Sequence, residues 1–384
     1  MTIGRARLFE VALPLKQPFR ISGGTLDVRR SLIVVLEDDE GNRGYGESAP
    51  FDLPFYSAET VASARELLMG KLLPQLLTES FTDSSGVLAA LTDGVVGNRM
   101  AIAGAETAWW DLRAAREGKT LGELTTERLR DLNVQDLWLE RSSTIECGVA
   151  LGIPNGNDGT LLQEWVKEAV GRGYRRIKLK VRPGWDVEPV EIARRALRDA
   201  GVDLPVTVDA NTAFTLDEHM SILRDLDLLG LLYVEQPLAA DALWDMRVLQ
   251  AQLGTPVCLD ESLTSDRVAR QVLEMDGPKV WNIKIQRLGG LEEACRVYAR
   301  AVAGGVRVWG GTMPETGVGA QAMLALGCHA GFVFPSDLEP SDRWYPAGTD
   351  LIELAMSGDG RMDVPGRRIV PAEGTDWKLL CDLQ

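Results

Sequence analysis

Six side chains could do acid–base and metal chemistry together, and each sits in or at the end of a short apolar run. Lys178 and Lys180 alternate with Ile177, Leu179 and Val181. Asp209 closes Pro205-Val206-Thr207-Val208, Glu235 closes Leu231-Leu232-Tyr233-Val234, Asp260 closes Pro256-Val257-Cys258-Leu259, and Lys284 closes Val280-Trp281-Asn282-Ile283. Alternation with period 2 is a strand signal, and residues two apart share a face. Two ammonium groups on one enclosed face repel each other and are poorly solvated. Both effects draw a lysine down from a pKa of about 10.4 towards the roughly 7–8 of a general base. The plainer alternative is a solvated edge strand with lysines as gatekeepers. Three carboxylates brought to one place repel one another unless a cation lies between them. Few hard oxygen ligands with room left for water and substrate suit Mg²⁺, with Mn²⁺ as the alternative ion. Each acid alone could cap a following helix. Three in succession, with a lysine on either side, favour the metal.

These residues need a scaffold that brings strand ends together. The first third of the chain alternates as strands over 6–13, 31–36 and 43–47, with a turn at Asp38-Asp39-Glu40-Gly41-Asn42. Pro18-Phe19-Arg20-Ile21-Ser22-Gly23-Gly24 reads as a mobile loop, and 49–57 as an aromatic-bearing one. Helical patterns follow from Ser57 to about Leu77 and from Met100 to Glu117. Strands followed by helices make an α+β domain. From Thr144 the rhythm becomes strand–helix, repeating about every 25 residues, as parallel βα units do. Strands are expected at 145–151, 176–182, 205–209, 231–235, 256–260, 280–284, 306–309 and 331–334. Eight close a TIM-type (β/α) barrel, whose C-terminal strand ends form the active-site mouth. The helix due after the eighth strand is not visible. Residues 350–384 read as a tail folding back on the first domain. The expected division is an α+β capping domain at 1–125, completed by 350–384, and a catalytic barrel at 126–349. Lys180 on the second strand and Lys284 on the sixth would then flank the metal from opposite sides.

Composition narrows the partners. A net charge of −15 repels nucleic acid and anionic membrane. No apolar run approaches a membrane span, and Met1-Thr2-Ile3-Gly4-Arg5 has no apolar signal core, so a cytoplasmic enzyme is expected. Cys147, Cys258, Cys295, Cys328 and Cys381 are odd in number and scattered, which argues against disulfides and thiolate zinc. His219 and His329 lie in no motif and read as structural.

The ordered set Lys178-Leu179-Lys180, Asp209-Ala210-Asn211, Glu235-Gln236-Pro237, Asp260-Glu261-Ser262 and Asn282-Ile283-Lys284 resembles the enolase superfamily, muconate-lactonizing branch. Finer stretches resemble its o-succinylbenzoate synthase and N-succinylamino acid racemase subgroup. They are 180–186, 309–317, Ser341-Asp342-Arg343-Trp344-Tyr345 and Arg287. Ile285-Gln286 stands where Pro-Gly is usual and Pro314 where leucine is usual, which bears on substrate choice. The resemblance implies Mg²⁺ on Asp209, Glu235 and Asp260. It implies Lys180 as base, then acid, in a syn dehydration of a cyclohexadiene carboxylate in menaquinone synthesis. Lys284 would supply charge there, and in racemisation the two lysines would work on opposite faces of the α-carbon. Lys178 would tune Lys180. Phe19 and Tyr56 would close over the substrate, a small-molecule carboxylate, with Asn211, Arg287 and Glu315 as further contacts, in a homo-oligomeric enzyme.

Three rival functions remain at this level. A dipeptide epimerase usually carries Asp-x-Asp near the eighth strand, which Ser336-Asp337-Leu338-Glu339 only approximates. A muconate-type cycloisomerase shares the same scaffold. A non-catalytic metal-binding scaffold would not need Lys180 and Lys284.

Overall fold

The computed structural model describes the chain apart from residues 22, 23, 55, 373, 375 and 376, and apart from the side chains of 19–21 and 24. An antiparallel sheet opens the chain, with β1 (Ile3–Ile21), β2 (Gly24–Asp38) and β3 (Arg43–Ser48). The segment expected as a loop at 18–24 instead continues this hairpin: Phe19 pairs with Leu26, Arg20 with Thr25 and Ile21 with Gly24. The ladder is irregular between Pro14 and Phe19 and resumes at Phe19, so Pro18 falls in the gap of the pairing.

The helix Arg99–Glu117 lies against β3, burying Ala101, Ala105, Ala108, Trp109 and Leu112. The approach is close enough to need glycine: a Cβ on Gly44 would lie 2.2 Å from the Ala108 carbonyl oxygen. The helix expected from Ser57 starts at Val61, where Thr60 and Ser63 form a reciprocal cap. It widens to a π turn over Leu68–Leu72. Pro74, in the turn after, has no N–H to complete a regular ladder.

Past Thr144 the expected strand at 145–151 divides. β4 (Thr144–Glu146) pairs with a late strand, and β5 (Gly148–Leu151) enters a parallel sheet. That sheet continues with β6 (Arg176–Lys180), β7 (Val206–Asp209), β8 (Val234–Glu235), β9 (Val257–Leu259), β10 (Val280–Ile283) and β11 (Arg307–Gly310). Its spatial order is β5 to β11 in chain sequence. Helices return between the strands, and apolar side chains fill the space between the layers.

This parallel sheet has seven strands among the described residues, where eight were expected. Pro335, directly after the expected last strand at 331–334, has no N–H to continue a ladder. Residues 332–337 still bridge the gap. Val333 N–H donates to Val308 O at 3.0 Å and Asp337 N–H to Gly310 O at 2.8 Å on one edge. Ser336 N–H donates to Glu146 O at 2.9 Å on the other, and Gly148 N–H to Ser336 O at 2.7 Å. After it comes only the one-turn helix Ser341–Trp344.

The tail returns: β12 (Arg361–Asp363) pairs with β4, and β13 (Lys378–Leu383) with β1. No helix among the described residues is long and apolar enough to cross a membrane. The five cysteines are unpaired, and His329 is buried between Thr126 and the Leu326 carbonyl.

Candidate active site

Strand register places the acids. Lys180 on β6 is level with Asp209 on β7, which is level with Glu235 on β8. Asp260 follows β9 directly. All three acids are at most 1% exposed, and one oxygen from each lies within 4.8 Å of the others. Residues just beyond the strand ends adopt left-handed backbone, with φ of 42° at Asn211 and 36° at Gln236. Such conformations cost energy in non-glycine residues and collect at functional sites. Gln236 repays its own. Its Oε1 accepts the Asp260 and Ser262 N–H groups at 2.9 and 3.1 Å, and its Nε2 donates to Ser262 Oγ at 2.7 Å. The side-chain amide thereby fixes the turn that carries Asp260.

The lysines take the two flanks. Lys180 Nζ lies 2.6 Å from Asp209 Oδ2 and 2.7 Å from Asn211 Oδ1. Lys284 Nζ lies 2.8 Å from Asp260 Oδ2 and 3.3 Å from Tyr56 Oη, with the Tyr56 ring 5.0 Å away. Three strands, β7 to β9, separate the strands that carry them. Lys178 points to the same enclosed space but sits deeper. It is 2.5 Å from Asp337 Oδ2, 3.1 Å from Glu235 Oε2 and 3.5 Å from Asp209 Oδ2.

Charge balance at Lys178 differs from the sequence-based expectation of a depressed lysine. Burial does draw Lys178 and Lys284 down. With the protein's own charges, Asp337, Glu235 and Asp209 outweigh it at Lys178, and Asp260 does so at Lys284. Both are pushed up. Mutual repulsion between lysines is the smaller effect because each has its own anion. Among the acids, burial and then Asp209 push Glu235 up to about 8. Burial also raises Asp260, but Lys284 and Arg287 overcome it and hold that carboxyl at about 2.

The triad fits a divalent cation. Glu235 Oε1 accepts from Asn282 Nδ2 at 2.9 Å, whereas its Oε2 is buried without a hydrogen bond. That oxygen carries the Lys178 ammonium at 3.1 Å, and three buried acids that each bring one oxygen within 4.8 Å of the others are the donor set a hard cation needs.

The remaining expected contacts divide. Asn211 and Tyr56 reach the cavity, whose wall also includes Phe51, Ala150, Glu339 and Trp344. Arg287 does not line it. Its guanidinium lies on Asp260 Oδ1 and donates to Leu263 O at 2.9 Å, so it supports the acid from behind. Glu315 also turns away: its Oε1 accepts Met313 N–H at 3.1 Å, and burial with Glu47 nearby pushes it up to about 8. The Phe19 side chain lies outside the described residues. Gln286, at an unusual position in the pattern, joins the two sheets' territories. It accepts Ala49 N–H at 3.0 Å and donates to Glu47 O at 2.7 Å. Pro314 does line the cavity, and its carbonyl accepts from Arg29 Nε at 2.6 Å.

Asp337 is the residue that sequence reasoning undervalued. It is buried and holds both Lys178 and Arg176. Its only signal in the sequence was a loose match to an amine-gripping pair.

Residues 161–368 match the family described as enolase C-terminal domain-like. Residues 4–125 match the mandelate racemase / muconate lactonizing enzyme N-terminal domain. The chain belongs to the enolase superfamily. Within that superfamily it is 39% identical to an N-succinylamino acid racemase of Thermus thermophilus, over 95% of this chain and 93% of that protein. It is 36% identical to an o-succinylbenzoate synthase of Enterococcus faecalis, over 95% and 94%. A crystal structure of an enolase-superfamily member from Listeria innocua superimposes with a TM-score of 0.85 at 30% identity, covering 100% of this chain and 98% of that one.

Proposed function

We propose that this protein is a Mg²⁺-dependent o-succinylbenzoate synthase that also racemises N-succinylamino acids. One observation carries the reading: Lys180 and Lys284 stand on opposite flanks of the acid triad, each within 2.8 Å of a different carboxylate. Similarity to relatives bearing both activities supports the choice of substrates.

Asp209, Glu235 and Asp260 would hold the metal. Bound there, it would supply positive charge for the negative charge that develops on the substrate carboxylate. Lys180 would take the α-proton and, in the dehydration, return it to the departing hydroxyl on the same face. Lys284 would contribute charge in that reaction. In racemisation it would deliver or remove the proton on the other face. Lys178, anchored by Asp337, would hold a fixed charge beneath Lys180. Tyr56 and Phe19 would cover the cavity from the capping sheet side, excluding water.

The same proposal reads residues 1–125 with 350–384 as the capping domain and 126–349 as a (β/α) barrel, 332–337 taking the eighth position. Five unpaired cysteines fit a reducing, cytoplasmic setting. A homo-oligomer is part of the reading, for light scattering to check. A dipeptide epimerase is disfavoured because Asp337 is already neutralised by Arg176 and Lys178.

The test is α-proton exchange in D₂O with Mg²⁺, using N-succinylamino acids and dipeptides side by side. Deuterium uptake by the succinylated substrates is expected. Uptake confined to dipeptides would refute the assignment.

A further inference from the structure

We propose that Arg29 is a positioning residue: its guanidinium ties the loop that carries Tyr56 to the barrel loop that carries Pro314, and so holds Tyr56 against Lys284. The proposal rests on the two-lysine reading above and says what aims one of the lysines. Arg29 lies on β2 and is fully buried. Among the described residues its hydrogen-bond partners are four backbone carbonyls rather than a carboxylate. Nε donates to Pro314 O at 2.6 Å, Nη1 to Arg30 O at 3.0 Å and to Pro50 O at 2.7 Å, and Nη2 to Ala49 O. The guanidinium also lies over the Phe51 ring, 5.2 Å from its centroid. A charge taken out of water is costly unless its donors are all met, so these carbonyls hold the group in one place as firmly as it holds them.

The two loops do not tie themselves together. Pro50 and Pro314 offer carbonyls but no N–H, and the Ala49 N–H is taken by Gln286. Among the described residues, no backbone hydrogen bond joins 49–54 to 312–315. A side chain with several donors and no acceptor answers that need, and arginine carries five N–H groups in a fixed fork. Both loops face the substrate, since Phe51, Tyr56, Met313 and Pro314 line the catalytic cavity. Ala49, Phe51 and Met313 share one apolar cluster with Tyr56 packed on it, and Phe51 meets Tyr56 edge-on with centroids 6.3 Å apart. Tyr56 Oη in turn accepts from Lys284 Nζ at 3.3 Å. A shift at Arg29 therefore reaches Lys284 through Phe51 and Tyr56. Lys180 takes its partners from Asp209 and Asn211 instead. Arg29 thus bears on one face of the α-carbon and not on the other. Charge stabilisation by Lys284 in the dehydration tolerates a small displacement, whereas proton transfer does not.

The experiment uses Mg²⁺-loaded wild type, Arg29→Lys, Tyr56→Phe and the double variant. Lysine keeps the charge, but one ammonium cannot span both loops. The readout is NMR-detected deuterium uptake by each enantiomer of an N-succinylamino acid in D₂O. Dehydration of the cyclohexadiene acid and calorimetric Mg²⁺ affinity are the references for general damage. The Lys284-facing enantiomer is the one whose exchange is lost in Lys284→Arg. Arg29→Lys should slow uptake by that enantiomer about 10- to 100-fold, the cost of a misplacement of about 1 Å, and leave the other enantiomer and dehydration within about threefold of wild type. Tyr56→Phe should give the same bias, and the double variant should be little worse than either single one, because both act on one contact. Should Arg29→Lys not fold, Phe51→Leu, which removes the ring between Arg29 and Tyr56, is read in the same way. An equal fall in both enantiomers and in dehydration would make Arg29 structural and overturn the proposal. So would unchanged uptake, or losses that multiply in the double variant. Wild type that exchanges both enantiomers while Arg29→Lys shows no bias overturns this proposal and leaves the two-lysine reading standing. Wild type that exchanges neither refutes that reading, and the role of Arg29 with it.

Discussion

Replacing Lys284 by arginine should separate the two reactions. Lys284 Nζ is 2.8 Å from Asp260 Oδ2 in a fully enclosed setting. At an effective dielectric of about 20 that attraction is about 6 kcal/mol before desolvation is subtracted. Arginine keeps this charge beside Asp260, so the metal carboxylate stays compensated. Lys284→Met removes it and leaves Asp260 with the Arg287 contact. Arginine cannot lose a proton at ordinary pH, so it cannot act as a base. Lys284→Arg should therefore lose racemisation by about 10²–10⁴, the usual worth of a general base. It should keep a measurable share of dehydration, while Lys284→Met loses both. Lys180 should still exchange the α-proton of one enantiomer. The assay is deuterium uptake by each enantiomer of an N-succinylamino acid, followed by NMR. Equal uptake from both enantiomers in Lys284→Arg would refute the assignment of the two lysines to opposite faces.

Asp209→Asn should lose metal and activity together, and calorimetric titration with Mg²⁺ would show it; full turnover in excess chelator would contradict the metal role. Gln286→Ala leaves the buried Ala49 N–H without its acceptor, which should lower stability by about 1–3 kcal/mol in urea unfolding; an unchanged midpoint would exclude the docking role. Burial lowers His329 to about 4 in the folded state, against about 6.5 when unfolded. Between those values the unfolded chain binds more protons, so stability falls as pH drops through that window. From pH 6.5 to 5 the loss is about 1.6 kcal/mol. His329→Gln should show a shallower dependence there, and parallel curves for the two proteins would refute it.

Much of the scaffold was legible because burial on both faces writes itself into parallel strands as apolar runs ending in charge. Val206–Asp209 and Val234–Glu235 sit where those runs placed them. The eighth strand failed because Gly331-Phe332-Val333-Phe334 has a strand's composition, while the ladder depends on a donor that Pro335 lacks. The pairing of 19–21 with 24–26 was missed for the converse reason: nearby proline and glycine read as a loop, while the irregularity between Pro14 and Phe19 leaves Pro18 out of the ladder. In the site, the lysine spacing was readable but the charge state was not. That state depends on Asp337, more than 150 residues away in sequence, meeting Lys178 at 2.5 Å. Arg287 and Glu315 were expected as substrate contacts from the subgroup resemblance alone. Their side chains instead turn to Asp260 and to Met313.

Conversion of the cyclohexadiene acid to o-succinylbenzoate, followed spectrophotometrically with purified protein and Mg²⁺, tests the central claim most directly. The account predicts steady turnover that stops when the metal is chelated and is absent in Lys180→Ala. No turnover by metal-loaded wild type, or undiminished turnover by Lys180→Ala, would contradict it.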